Sequence, residues 1–180
     1  MIYLLPSMKQ AMTPSLRGRP REFDLEKALD RAMKVFWGKG YLGASLSDLT
    51  AAMRINRPSL YAAFGNKESL FQKVLERYNE GPSAWFREAL EEPTARRVVE
   101  RMLRGAVEMA TNSRYPRGCL WVRGTFSCGD PAQSIREQLL VHRTTGEAEL
   151  RKRFERAIRE GDLPATTDAL ALARYVLTMN

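Results

Sequence analysis

An arginine, a proline and two hydroxyl side chains stand close together in the first half of the chain: Arg57, Pro58, Ser59 and Tyr61. In the major groove of DNA an arginine can donate hydrogen bonds to a guanine edge, and hydroxyl groups reach bases or phosphates. A helix that exposes such groups on one face, with small residues between them, fits into the groove. The chemistry that this pattern predicts is recognition of double-stranded DNA.

A short helix, a turn and a second short helix over residues 45–64 are predicted to position these side chains. Ser45 or Ser47 can cap the first helix, which ends near Arg54. Its inward residues recur at intervals of three and four: Leu46, Leu49, Ala52 and Met53.

The second short helix is predicted to begin near Arg57, because Pro58 suits a first helical turn. Leu60 and Phe64 share its buried face. The residues left to point outward are Arg57, Ser59, Tyr61 and Ala63. Together the two helices form a helix-turn-helix, whose second helix enters a major groove.

A longer helix is predicted on each side of this motif. The preceding helix has Asp24 as its N-cap and runs to about Lys39, with Gly40 as its stop. The following helix is capped by Asn66 and ends at residues 81–82, Gly-Pro. Two short helices cannot bury enough apolar area alone, so these partners are required.

Two sequence runs at the edges of the helix-turn-helix make the pattern specific. They are Gly-Tyr-Leu-Gly-Ala-Ser at 40–45 and Pro-Ser-Leu-Tyr-Ala-Ala-Phe-Gly-Asn-Lys-Glu at 58–68. With them, residues 21–81 resemble the DNA-binding domain of the TetR family of transcriptional regulators. That family usually has Gly where this chain has Arg54, and a positive φ there costs an arginine on the order of 1 kcal/mol.

The resemblance implies an all-α protein with a three-helix DNA-binding head and a helical ligand-binding and dimerisation body. It implies a repressor that binds a palindromic operator as a homodimer, through its C-terminal helices, and is released by a small molecule. Lys67 matches the family's phosphate contact, in a first helical turn that favours an anion. The predicted DNA-contacting residues of the motif are Ser45, Ser47, Arg57, Pro58, Ser59, Tyr61 and Lys67.

The net charge of +8 and the pI of about 9.8 allow a polyanionic partner without identifying one. Residues 1–21 hold Lys9, Arg17, Arg19 and Arg21 and no acid. Residues 1–20 are predicted to be a flexible basic arm. Arg17 and Arg19 either contact DNA, as homeodomain arms do, or belong to a disordered terminus.

Residues 82–180 are predicted to form the helical body. Cys119–Phe126 fits a strand or a buried helix, and its helical surroundings favour a helix. Thr166 or Thr167 is expected to cap the last segment, Ala169–Asn180. That segment stops inside an apolar stretch, which raises the alternative of a C-terminal truncation.

Two long helices dominate the predicted body. The first is capped by Thr94, and its expected inward residues are Val98, Val99, Met102, Leu103, Ala106, Val107 and Ala110. The second ends at Gly161, and its expected inward residues are Ile135, Leu139, Leu140, Leu150, Phe154 and Ile158.

Five large apolar residues are candidates for an effector pocket in the body: Trp85, Met102, Met109, Trp121 and Phe126. The same residues at helical spacing would equally fill a core. Few acids accompany them, so such a pocket would suit an uncharged or weakly anionic, apolar or aromatic molecule.

Cys119, Cys128 and the single histidine, His142, exclude a zinc cluster of the usual spacings, and no metal or cofactor site is predicted. The two cysteines leave a redox-responsive regulator as an alternative to buried inert thiols. His142 is expected at the surface or an interface.

Other functional classes find little support. A small helical enzyme would need a nucleophile with a base, or paired carboxylates, in one cleft, so the chain is predicted not to be an enzyme. A helical adaptor that binds only protein would leave the outward face of the second short helix without a purpose. The sequence has no signal peptide and no membrane-spanning run, which predicts a cytoplasmic protein.

Overall fold

The computed structural model describes residues 24–126 and 133–179, of which 124–126 are described by their backbone alone. The regular structure in these ranges is entirely helical, which confirms the all-α prediction. The helices are α1 Leu25–Gly43, α2 Leu46–Met53, α3 Arg57–Phe64, α4 Lys67–Glu80, α5 Trp85–Leu90, α6 Ala95–Thr111, α7 Leu120–Phe126, α8 Gln133–Arg159 and α9 Ala169–Met179. None of these helices is both long and apolar enough to cross a bilayer.

Polar side chains cap the helices where the sequence places them. The N-caps that were predicted and are found are Asp24 for α1, Ser45 for α2, Asn66 for α4 and Thr94 for α6. Asn56 caps α3. The expected cap of α9 is wrong, because Asp168 rather than Thr166 or Thr167 accepts hydrogen bonds from the first N–H groups, Leu170 and Ala171. A cap must directly precede the first helical residue, and only Asp168 does.

Gly40 interrupts α1 without ending it. Its dihedral angles, φ 71° and ψ 172°, lie outside the helical region, and the chain then makes one further turn to Gly43. A residue with a side chain would be strained at this φ, whereas glycine is not. The predicted stop is therefore a sharp bend that redirects Tyr41 and the residues after it.

The turn of the helix-turn-helix has the conformation that its family position suggests. Arg54 is left-handed, with φ 59° and ψ 44°. Arg31 of α1 donates a 3.4 Å hydrogen bond to the carbonyl oxygen of Met53, the last residue of α2. Arg54 is therefore accommodated in the αL geometry that glycine adopts more easily.

Two hydrophobic clusters hold the described part of the chain together. The first contains the buried residues of α1 to α4, and it also includes Leu120 of α7 with Ile135 and Leu139 of α8. The second contains buried residues of α5, α6, α8 and α9, among them Met102, Leu150 and Phe154. The long helix α8 thus contributes its start to one cluster and its C-terminal half to the other.

Several residues predicted to face inward are exposed instead. They are Leu103, Val107 and Ala110 of α6 and Leu140 of α8. The buried face of α6 is narrower, and it includes Ala95, Val98, Met102 and Gly105. Periodicity identifies the apolar side of a helix, but the number of packed neighbours decides how much of that side is covered.

Candidate nucleic-acid interface

The exposed face of α3 carries Arg57, Pro58 and Tyr61, the last with 48% of its surface accessible. Leu60 and Phe64 are buried on the opposite face, as predicted. The outward assignment of Ala63 is wrong, because that residue packs against the first cluster. A step of 100° per residue places Ala63 about 60° from Leu60, at the edge of the buried face.

Two further residues of α3 lie at or beside its exposed face. Ala62 is exposed and takes the place expected for Ala63. Ser59 is half-buried, and its backbone N–H donates a 2.8 Å hydrogen bond to the side chain of Asn56. The hydroxyl of Ser59 is therefore at the edge of the exposed face rather than at its centre.

Arg57 is linked across the turn to α2. Its guanidinium donates a 3.1 Å hydrogen bond to the hydroxyl of Ser47, and both residues are exposed. The start of α3 and the first turn of α2 therefore present their polar side chains side by side. A guanidinium has five donors, so this bond leaves others free for a base edge or a phosphate.

The start of α2 is organised by a capping box. The hydroxyl of Ser45 accepts from the backbone N–H of Asp48 at 3.0 Å, and the carboxylate of Asp48 accepts from the backbone N–H of Ser45 at 3.1 Å. Lys39 of α1 adds a 2.6 Å ion pair to the same carboxylate. The hydrogen bond from Lys39, with those from Ser45, lowers the pKa of Asp48 to about 2.

Lys67 occupies the first position of α4, where the side chain of Asn66 accepts from the N–H of Ser69 at 2.7 Å. Its ammonium nitrogen lies 4.6 Å from the centroid of the Tyr41 ring. The residue is half-buried, and burial lowers the pKa of its ammonium group. An anion at this helix start would meet a positive charge and free N–H groups together.

The contact of Lys67 with Tyr41 and the ion pair of Lys39 with Asp48 were not anticipated from the sequence. Tyr41 belongs to the Gly-Tyr-Leu-Gly-Ala-Ser run, which indicates the family resemblance but not this contact. Arg17 and Arg19, the predicted arm contacts, lie outside the described residues.

The residues proposed for an effector pocket fall into two groups. Trp85 and Met102 belong to the second cluster, and the Trp85 ring lies against Gly105 of α6. Met109 and Trp121 pack on the first cluster. The Phe126 side chain is outside what the structure describes.

Met109 and Trp121 both contact the C-terminal part of α4. The Tyr78 hydroxyl donates to the sulfur of Met109 at 3.1 Å, and the Trp121 indole N–H donates to the Asn79 side chain at 3.1 Å. Trp121 also lines a cleft of about 260 Å³ and stacks on the ring of His142, which is half-buried. Burial lowers the pKa of His142.

Cys119 is free and half-buried, with its sulfur 3.5 Å from the Tyr78 hydroxyl. Cys128, the second thiol of the redox-responsive alternative, lies outside the described residues. Within residues 24–126 and 133–179, no group of three His, Cys, Asp or Glu side chains is arranged to hold a metal ion.

Two family descriptions match separate parts of the chain. Bacterial regulatory proteins, tetR family, matches residues 28–74, and the tetracyclin repressor-like C-terminal domain matches residues 95–179. Among curated proteins, the HTH-type transcriptional repressor ComR of Escherichia coli (strain K12) is 32% identical over 162 residues, which cover 89% of this chain and 77% of ComR. The uncharacterized HTH-type transcriptional regulator YezE of Bacillus subtilis (strain 168) is 31% identical over 178 residues, covering 88% of this chain and 83% of YezE.

A solved structure extends the likeness to three dimensions. The TetR family transcriptional regulator CifR, determined as a cysteine mutant in complex with 26-base-pair double-strand operator DNA, is 43% identical to this chain. The match has a TM-score of 0.84 and covers 89% of this chain and 84% of CifR.

Proposed function

This chain belongs to the TetR family of DNA-binding transcriptional regulators, and we propose that it is a repressor that binds a palindromic operator as a dimer and is released by a small molecule. It is a regulator rather than an enzyme, as the sequence predicted. The relatives ComR and CifR are named as a repressor and as a regulator on operator DNA, which supports the proposal.

The main structural support for this proposal is the exposed face of α3. Arg57 and Tyr61 project from it, and the Arg57 guanidinium is held beside the hydroxyl of Ser47. In this proposal Arg57 contacts a base edge, Tyr61 contacts a phosphate or a thymine methyl group, and Lys67 contacts a phosphate. Ser45, Ser47, Pro58 and Ser59 border the same contact surface.

We further propose that residues 21–81 form the DNA-binding head and residues 82–180 the ligand-binding and dimerisation body. The junction at Gly81 fits the end of α4. The first hydrophobic cluster crosses this junction, since Leu120, Ile135 and Leu139 pack with the head helices. A movement in the body would therefore reach the head through α7 and the start of α8.

The dimer is proposed to form through α8 and α9. Large apolar side chains on these helices are exposed: Leu140, Val141, Tyr175 and Met179. Homodimer interfaces bury apolar helix faces of this kind. A two-fold dimer presents two recognition helices to successive major grooves, which is why the operator should be palindromic.

The effector is proposed to be an uncharged or weakly anionic, largely apolar molecule that contacts Trp85, Met102, Met109, Trp121 and Phe126. Met109 and Trp121 are bonded to Tyr78 and Asn79 at the end of α4, so a ligand that displaces them would act directly on a head helix. Binding lowers DNA affinity only if the ligand prefers the conformation with the weaker DNA contact.

The proposal is tested by incubating the full chain with fragments of its native genome and sequencing those it retains. We expect enrichment of promoter fragments that share a palindrome. Arg57→Ala and Tyr61→Ala should lose this enrichment while keeping the helical circular dichroism of the wild type. Retention of unrelated fragments to an equal extent by all three proteins would contradict sequence-specific regulation.

A further inference from the structure

The bend at Gly40 brings the Tyr41 ring under the start of α4. Gly40 is buried and has a positive φ of 71°, and the residue after it points its ring toward Lys67. Tyr41 and Lys67 are 26 positions apart in the sequence, and the bend at Gly40 allows them to come into contact. The Gly-Tyr pair of the run at 40–45 therefore has a structural consequence at the DNA-facing end of α4.

Neighbouring rings fix the position of Tyr41. Only 9% of its surface is accessible. Its ring is stacked with Phe36 at 6.2 Å and lies 5.1 Å from the ring of Phe71. A ring held on several sides offers a fixed face to a cation, in contrast to a mobile surface tyrosine.

Lys67 is held by that face. Its ammonium nitrogen is 4.6 Å from the ring centroid, within the range in which a cation is attracted to the negative face of an aromatic ring. The residue is half-buried, and burial lowers the pKa of the ammonium group. The charge is thus partly stripped of water and restrained before any DNA is present.

We propose that Tyr41 is a positioning residue for DNA binding, whose ring holds the Lys67 ammonium at the start of α4 where a DNA phosphate is to be bound. This inference rests on the proposed function, in which Lys67 contacts phosphate. A lysine side chain loses much rotamer freedom when it is fixed. Because Tyr41 has already fixed Lys67 in the free protein, little of that loss remains to be borne when DNA binds.

A core aromatic residue and a positioning residue at Tyr41 would have separate consequences. A purely structural residue would change the stability of the head without any dependence on Lys67. A positioning residue acts through Lys67, so its effect on DNA affinity disappears once the lysine is removed. A double-mutant cycle between the two positions separates these roles.

The experiment uses the full chain and a random-sequence DNA duplex about three helical turns long, because a phosphate contact does not depend on base sequence. Affinity is measured by fluorescence anisotropy over a series of salt concentrations. Tyr41→Leu should weaken binding by about threefold to tenfold, and Tyr41→Phe, which keeps the ring, should stay within about twofold of the wild type. In the Lys67→Ala background, Tyr41→Leu should cause no further loss.

Trp37→Phe serves as the control. Trp37 is fully buried in the same cluster, but its ring contacts Tyr78 and Tyr115 rather than Tyr41. We expect this substitution to lower stability while leaving the salt dependence of DNA binding unchanged. Equal losses of affinity from Trp37→Phe and Tyr41→Leu would assign both residues a structural role and overturn the inference.

A measurement without DNA keeps the inference testable if Tyr41→Leu folds poorly. The ε-methylene protons of Lys67 should be shifted upfield in the NMR spectrum by the Tyr41 ring, and Tyr41→Phe should preserve that shift. An unshifted Lys67 in the wild type would overturn the inference. Additive affinity losses in the double-mutant cycle would also overturn the inference, while leaving the proposed phosphate contact of Lys67 intact. If Lys67→Ala instead binds DNA with the affinity and salt slope of the wild type, both the positioning role of Tyr41 and the phosphate contact of Lys67 are overturned.

Discussion

The indole N–H of Trp37 in α1 donates a 2.6 Å hydrogen bond to the carbonyl oxygen of Gly118, just before α7. Arg123 of α7 reinforces this link by donating to the carbonyl oxygen of Gly38 at 2.9 Å. The ring of Tyr115 is stacked on Trp37 with their centroids 5.1 Å apart. The loop before α7 is therefore bound to α1, the first helix of the proposed DNA-binding head.

Trp37→Phe should lower the free energy of unfolding by about 2–4 kcal/mol, because it replaces a fully buried indole with a smaller phenyl ring and leaves the Gly118 carbonyl without its donor. Trp85→Phe is the matched control, since the Trp85 N–H is buried without an acceptor among the residues that the structure describes. Its loss should be smaller by about 1 kcal/mol or more. Urea denaturation of the two variants measures this difference, and equal losses would show that the bond contributes nothing.

A fragment ending at Gly81 is expected to sediment as a monomer of low stability. It lacks the C-terminal helices proposed for the dimer, and it also loses Leu120, Ile135 and Leu139 from the first cluster. Analytical ultracentrifugation and thermal denaturation test both parts. A fragment that sediments as a stable dimer would place the dimer interface in the head and contradict the proposed arrangement.

Arg57→Ala and Tyr61→Ala should each weaken binding to the selected operator by about 1–3 kcal/mol. Both side chains are exposed on α3, so the fold should be unaffected. Arg96→Ala on α6 is a suitable control, because Arg96 is 87% exposed and pairs with Glu100 on the proposed body. Wild-type operator affinity in both α3 variants would mean that this face of the helix does not contact DNA.

The head could be predicted closely because its signals are local. Ser45, Pro58 and Asn66 mark helix starts within a few residues of the apolar positions they serve. The exchange of Ala62 for Ala63 on the exposed face is a one-residue error in helix rotation, within the usual uncertainty of a short pattern.

Contacts between residues far apart in the sequence could not be predicted from these local signals. No periodicity indicates that Leu120 or Ile135 completes the head cluster, or that Tyr41 lies beneath Lys67. These contacts depend on how helices cross, which the sequence specifies only through the whole fold. The proposed effector residues show the same limit, since Met102 and Met109 share one helix and pack in different clusters.

The capping box of α2 should contribute to the acid sensitivity of the head. The pKa of Asp48 is lowered from 3.8 to about 2 by hydrogen bonds from Lys39 and Ser45. Its contribution to stability is therefore complete above pH 3.8 and lost as the pH falls toward 2. The difference in unfolding midpoint between the wild type and Asp48→Asn should be constant near neutral pH and should decrease as the pH falls from 3.8 toward 2.

Lys39→Gln supplies the control for that pH dependence. It removes the largest cause of the lowered pKa while retaining the bonds from Ser45. Because the unfolded-state pKa is unchanged, the loss of stability on acidification should be smaller than in the wild type and should end at a higher pH. Parallel midpoint curves for the wild type and Asp48→Asn down to the acid limit would show that Asp48 has a similar pKa in the folded and unfolded states.

Two helical glycines in the body allow a test of whether Trp85 is firmly packed. A β-carbon on Gly105 of α6 would lie 2.6 Å from two atoms of the Trp85 ring, closer than carbon atoms can approach. Gly105→Ala should therefore lower stability by about 1–3 kcal/mol despite its better helix propensity. Urea denaturation measures the loss, and Trp85 should become more exposed in the variant.

Gly146→Ala is the matched control on α8, where the added β-carbon would lie 3.5 Å from Phe86, an ordinary contact. It should raise stability by up to about 1 kcal/mol, since alanine is the better helix former. Opposite signs for the two substitutions would establish that the Trp85 ring is fixed against α6. Stabilisation by both would mean that the ring moves aside readily, as a residue that makes room for an effector must do, and would contradict the tight packing on Gly105.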